Sequence, residues 1–210
     1  MNRPLHTAVT AMPRRLRSVA LLLGAILLGA TNPAHAGGSA ARKLPPKFDK
    51  PPYSLMSLSV GHPNAGWQRR AIRLKQRPGL VVKGNSRFTW GHPALVKMLY
   101  RTARDIRRSL KGATMVVGDL ARKQGGPLAG HASHQSGRDA DLGFYMKNSK
   151  GKRVAPKRFV SFDGNGNAKD GSGYRFDDYA NWLLVQSWIR DHRAGISHIF
   201  ISRPLRKRLL

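Results

Sequence analysis

The chain has 210 residues, a length that suits one globular domain plus a leader. It contains no cysteine, which excludes disulfides and thiolate metal sites, so any metal chemistry must draw on His, Asp or Glu. Lys and Arg number 38 against 10 acidic residues, a formal net charge of +28, and a charge that large calls for polyanionic surroundings.

Residues 1–36 read as a secretory signal peptide. Arg14, Arg15 and Arg17 form a basic start, Val19 to Ala30 is an unbroken apolar and glycine stretch, and Ala34-His35-Ala36 supplies a small-x-small cleavage pattern. The apolar run is short for a bilayer span. An uncleaved anchor is the alternative, and Arg14-Arg15 is a weak match to a twin-arginine signal. The expected mature chain starts near Gly37, has no transmembrane segment and is periplasmic. The leader holds four arginines and no acids, so the mature charge is 34 − 10 = +24. Outside the cytosol that charge meets cell wall, lipid headgroups and surface polysaccharide, and no specific nucleic-acid partner is expected.

Residues 37–52 read as a Pro/Gly-rich arm, with Gly37-Gly38-Ser39, Leu44-Pro45-Pro46 and Pro51-Pro52 favouring extended backbone. Residues 53–210 carry globular patterning. Leu95, Leu99, Ala103, Ile106 and Leu110 recur at helical spacing over residues 93–110, with Pro93 opening the helix and Gly112 ending it. Thr114-Met115-Val116-Val117 reads as a short buried strand. Gly-rich loop material runs from Gln124 to Gly137. A strand over 139–145 puts Asp139, Asp141 and Gly143 on one face and Ala140, Leu142 and Phe144 on the packed face. Residues 163–173 echo a calcium loop in Asp163, Asn165 and Asn167, but Tyr174 stands where a bidentate glutamate belongs, so the segment is assigned as a solvated hairpin loop. Asp177 or Asp178 caps a helix running to Arg190, with Trp182, Val185 and Ile189 on one face and Leu183, Leu184 and Trp188 widening it, in an element read as well buried. Ile199-Phe200-Ile201 reads as a strand, and Pro204 opens a final basic helix. The irregular alternation of helices and strands indicates an α+β fold.

The chemistry concentrates in Gly130-His131-Ala132-Ser133-His134-Gln135-Ser136-Gly137-Arg138-Asp139-Ala140-Asp141. His134 lies on a loop, Asp141 on the polar face of the next strand, and glycine between them lets the chain fold back. Imidazole nitrogen and carboxylate oxygen suit zinc, and a catalytic site wants three protein donors and one open position. His134 and Asp141 supply two. His131 is a third ligand or a neighbour that hydrogen-bonds metal-bound water. A plain polar loop leading into a strand is the competing reading of the same residues. His62 and His92 each stand between glycine and proline, which favours a turn role. Trp67, Trp90, Trp182 and Trp188 could stack on sugar rings, although such residues more often belong to a core.

This stretch resembles the penicillin-insensitive murein endopeptidases, within the zinc peptidases that include lysostaphin-type and D-Ala-D-Ala carboxypeptidase enzymes. Trp90-Gly91-His92-Pro93 with its helix, Val117-Gly118-Asp119-Leu120, Gly125-Gly126-Pro127 and Ser197-His198-Ile199-Phe200-Ile201 extend the resemblance over residues 57–210. It implies an α+β fold with a central antiparallel sheet and flanking helices. It also implies a Zn2+ cofactor and peptidoglycan as partner. The reaction implied is hydrolysis of D-alanyl–meso-diaminopimelyl cross-links. His134 and Asp141 match metal ligands, His131 matches a histidine at the metal, and Asp139 and Asp119 match positions that hold loop or sheet. The family completes its site with a later His-x-His strand. This chain has no His-x-His, and His192 and His198 stand six apart. The expectation is therefore a domain truncated before its last strand or strands. An inactive homologue that binds anionic cell wall without cleaving it is the alternative function.

Overall fold

In the computed structural model, residues 7–11 and 45–210 are described. The basic start, apolar run and cleavage pattern assigned to the signal peptide, and the first part of the Pro/Gly-rich arm, lie outside them. Strand β1 (Thr7–Ala11) comes first. A hairpin of β2 (Leu58–His62) and β3 (Ala65–Arg69) is followed by β4 (Ile72–Arg73), β5 (Leu80–Val82) and β6 (Trp90–Gly91), which lead into helix α1 (Pro93–Ser109). After β7 (Met115–Val117) and β8 (Asp139–Gly143) come β9 (Met146–Lys147), β10 (Arg153–Val154) and β11 (Arg175–Phe176). Helix α2 (Asp178–Arg190), β12 (Ile196–Ile199) and α3 (Arg203–Leu209) complete the order.

The main sheet has five strands in the order β12-β1-β8-β7-β5. Every pairing in it is antiparallel except β5 with β7. The fold is α+β as its alternation indicated, with that one parallel pair as the departure from a fully antiparallel sheet. β1 comes from the stretch read as a leader. It fills the position between β8 and β12, with Ala8 opposite Asp141 and Thr10 opposite both Asp139 and His198.

Helix α1 forms where the periodicity placed it. Pro93 brings a backbone preset for a first turn, and the Ala94 N–H donates to His92 Nδ1 at 3.3 Å. Its inward face, Leu95, Leu99, Ala103 and Ile106, packs with Met115, Val117 and Leu142 of the sheet and with Trp188 of α2. Burying side chains of this size stabilises by roughly 1.5–3 kcal/mol each. Gly112, at φ +78°, turns the chain back toward β7. A second cluster joins Met146, Phe162 and Phe176 to Leu205 and Leu209 of α3, with Phe144 set edge-on to both Phe162 and Phe176.

Three local expectations change. The strand begun at Asp139 stops at Gly143, because the N–H and C=O of Tyr145 are taken by the Asn181 side chain at 3.0 and 2.8 Å. In α2 the buried face is Ala180, Asn181, Leu184 and Trp188, while Trp182 and Ile189 are exposed. The helix lies on one side of the sheet, and of the Trp182, Val185 and Ile189 stripe only Val185 packs, against the second cluster. The last strand spans Ile196–Ile199 rather than 199–201. Ser202 already caps α3, so Phe200 and Ile201 serve as the exit from the sheet. The Asp163 loop spends its carboxylate on the N–H groups of Asn165 and Asn167, as a solvated turn does. Among the described residues, no helix is long and apolar enough to cross a membrane.

Asp177 ties α2 to the small sheet. It is 1 % exposed, accepts from Ala180 N–H at the helix start, and pairs with Arg153 at 2.7 Å and Lys147 at 3.6 Å. Asp177→Ala removes a helix cap and leaves Arg153 without its anion. Urea unfolding is expected to show a loss of about 2–4 kcal/mol. A chain lacking residues 1–11 is expected to exchange the amides of Asp139–Leu142 faster than the full chain in hydrogen-exchange measurements, because their β1 partners are gone.

Candidate metal centre

The site is built where β7 and β8 meet the loop that joins them. Beyond Val117 the chain stays alongside β8: Gly118 N–H donates to Asp141 C=O at 2.7 Å, and Asp141 N–H donates to Asp119 C=O at 3.0 Å. Asp119 and Asp141 are thereby neighbours. The strand period of two puts Asp139 on the same face as Asp141. That face is closed rather than open to solvent, with Asp139 2 % and Asp141 8 % exposed. The face that carries the carboxylates is covered by the 125–137 loop, whose His134 bonds to Asp139.

Glycine makes that fold-over possible. Gly125 (φ +76°) and Gly137 (φ +70°) open and close the loop. A Cβ on Gly137 would sit 1.8 Å from Gln68 Oε1, and one on Gly125 2.3 Å from the Gln135 carbonyl. Gln68 itself is buried and donates from Nε2 to Arg122 C=O at 2.6 Å, which holds the loop's start. His134 also has a left-handed backbone, at φ +72°, a conformation that costs a non-glycine residue of order 1 kcal/mol or more. Asp139 sustains it by accepting the His134 N–H at 2.9 Å.

The three predicted donors converge. His131, His134 and Asp141 each offer one ligand atom, all within 4.8 Å of one another. His134 Nε2 lies 3.2 Å from Asp141 Oδ1, and His131 Nδ1 lies 3.7 Å from Asp141 Oδ2. Each imidazole has its far nitrogen held: His134 Nδ1 is 2.6 Å from the Leu120 carbonyl, and His131 Nε2 is 3.1 Å from Asp119 Oδ2. A carbonyl behind one ring and a carboxylate behind the other are the partners that fix tautomer and aim in metal-binding histidines. The donor set therefore fits a divalent metal on its own chemistry.

Asp119 was a secondary candidate in the sequence; the structure gives it the His131 ring and the Asn85 N–H. The Leu120 carbonyl has no side-chain signal and was missed. Its only trace is its place beside Asp119 in the Val117–Leu120 run. Among the described residues, His192 and His198 do not join the cluster. His198 stacks on Phe200, with centroids 5.8 Å apart. His92 caps α1, which agrees with a turn role, and burial lowers its pKa.

Burial disfavours the charged ring of His134, but the Asp141 carboxylate, then Asp139 and the Leu120 carbonyl, outweigh it, so the pKa is raised above 6.5. In metal-free protein a raised folded pKa contributes stability that is fully present below the unfolded value and is lost as pH rises through the folded one. A divalent metal competes with that proton. Thermal unfolding in chelator is expected to show a midpoint that falls as pH rises through and beyond 6.5. Metal titration over the same window is expected to show affinity rising.

Comparison with known proteins covers the same stretch of chain. The profile of the family described as penicillin-insensitive murein endopeptidase matches residues 59–163, which hold all three donors. Proteins bearing that name are similar over shorter spans. One from Pectobacterium atrosepticum is 38% identical over 63 residues, 30% of this chain and 22% of that protein. One from Haemophilus influenzae is 43% identical over 68 residues, 31% of this chain and 23% of that protein. The similarity thus covers under a quarter of these relatives' length. With the family profile matching half of its residues across the donor loop and strand, this chain belongs to the penicillin-insensitive murein endopeptidase family.

Proposed function

We propose that this chain is a zinc-dependent endopeptidase domain that hydrolyses D-alanyl–meso-diaminopimelyl cross-links of peptidoglycan, acting in the periplasm after export by its N-terminal leader. The observation that carries the reading is the convergence of His131, His134 and Asp141, each ring backed by its own acceptor. Nitrogen and oxygen donors without thiolate suit zinc. A zinc ion held there supplies a water of lowered pKa and polarises the scissile carbonyl.

The protein's own part is positional and protonic. His134 keeps its proton on Nδ1, toward Leu120, and presents Nε2 with Asp141 Oδ1. His131 is half-buried, with Asp119 at Nε2 able to balance a positive ring. It serves as the third donor or as the group that holds a proton beside the reacting amide. Hydrolysis adds water across one amide and yields a carboxylate and an amine. No serine nucleophile takes part, so β-lactams leave the reaction unaffected.

A second reading, a wall-binding protein that does not cut, draws on the net charge of +28 and the lack of a His-x-His pair. It predicts binding to isolated cell wall that weakens with salt.

Zinc stoichiometry and muropeptide release on the same samples separate the two. The first reading expects one zinc per chain, cross-link cleavage abolished by chelator, and loss of both in His134→Ala. Asp119→Asn is expected to bind zinc roughly 10–100-fold more weakly. Salt-sensitive wall binding with no zinc and no cleavage in the unaltered chain would establish the second.

A further inference from the structure

A cleft of about 230 Å³ lies between the β2–β3 hairpin and the glycine loop. Asn64, Gly66 and Trp67 form one wall, and Gly126, Pro127 and Gln135 the other. The two walls are stitched together below it: Gly126 N–H donates to both Gly66 C=O (3.0 Å) and Gln135 C=O (2.9 Å), and Gln135 N–H donates to Pro63 C=O at 2.8 Å. The cleft is therefore fixed in register with His134, the residue before Gln135.

Its chemistry is unlike the rest of the surface. The chain carries a net charge of +28, yet among the described residues none that is charged lines this cleft. A groove for a carboxylate-bearing peptide would be expected to use some of those cations. The cleft instead offers the half-buried Trp67 and two side-chain amides, Asn64 and Gln135, that make no hydrogen bond with another described residue. An indole face covers apolar C–H surface, while free amides offer both donors and acceptors. Gly126, where a Cβ would meet nothing within 4 Å, leaves room for a ring to approach the backbone. That combination matches a neutral, hydroxyl-rich ring bearing an amide.

We propose that this cleft is a saccharide subsite for an N-acetylhexosamine unit, the indole of Trp67 stacking on the sugar face and Asn64 and Gln135 pairing with its hydroxyl or acetamido groups. That the sugar belongs to the murein glycan rests on the endopeptidase reading; the subsite itself does not. It holds the glycan while the linked peptide lies at the metal cluster, whose His134 directly precedes Gln135 in the chain.

The test titrates chitotetraose, a peptide-free N-acetylglucosamine oligomer, into the full chain in chelator by calorimetry. Saturable binding is expected, weakened roughly tenfold in Asn64→Ala, as one lost neutral hydrogen bond with its contacts implies. Trp67→Ala is expected to abolish it and Trp67→Tyr to retain it. Asn64 lies on the exposed hairpin turn, so its variant informs even if Trp67→Ala fails to fold. His134→Ala is expected to bind chitotetraose normally. Chitotetraose binding by the unaltered chain, with no cross-link cleavage by that chain when zinc is supplied, would sink the endopeptidase reading and leave the subsite standing. No chitotetraose binding by the unaltered chain, or binding indifferent to both Asn64→Ala and Trp67→Ala, overturns the proposal. So does a peptide-only cross-linked dimer whose binding falls in Asn64→Ala while the sugar's does not.

Discussion

The hydrogen bond from His134 N–H to Asp139 is the constraint on which the site depends. His134 adopts a left-handed backbone without being glycine, and the fold sustains that cost because a buried carboxylate takes its amide. With the backbone so turned, the ring reaches Leu120 with one nitrogen and Asp141 with the other. Asp139 and Asp141 are two residues apart on one strand, so a single sheet face fixes both the loop's backbone and the ligand's carboxylate. The loop is placed by the strand, and the strand by its ladder.

Charge composition sharpens this. The chain's ten acids are all aspartate, and most pair with cations: Asp49 with Arg69, Asp105 with Arg104, Asp170 with Arg158, Asp177 with Arg153 and Lys147, Asp178 with Arg208, Asp191 with Arg101. Asp119, Asp139 and Asp141 instead face histidines. Aspartate is short, so its oxygens stay close to where the backbone puts them and little side-chain entropy is lost in holding them. In a protein so rich in Lys and Arg, this group of buried or half-buried carboxylates beside two imidazoles is a local exception.

The extent to which the sequence revealed all this follows the range of each interaction. Helix α1 was legible because Pro93, the Leu95–Ile106 stripe and Gly112 lie within one element. The donor trio was legible because His131, His134 and Asp141 fall within eleven residues of chain. Asp139 as clamp and Asp119 as the partner of His131 could only be named as candidates, since their roles depend on how the loop closes and how β7 runs on beside β8. The Leu120 carbonyl left no side-chain trace. Helix α2 misled because it carries two apolar stripes and periodicity does not say which meets the sheet. The exposed stripe includes Trp182, stacked on Tyr179 with centroids 6.1 Å apart.

Least legible was the neighbour of β8. Local pattern marks Thr7–Ala11 as the start of a leader, while the sheet uses it as the strand between β8 and β12. Both readings concern one stretch of extended backbone, and they meet on a single requirement. Asp139–Leu142 has main-chain groups directed to that side, and buried main-chain groups need partners. Position β1 must therefore be held by some extended segment if β8 is to keep Asp139 and Asp141 at the spacing the metal cluster needs. In the full-length chain that segment is Thr7–Ala11, more than 120 residues away, a separation at which no periodicity or motif could announce it; once a leader is removed, another extended segment has to take the position.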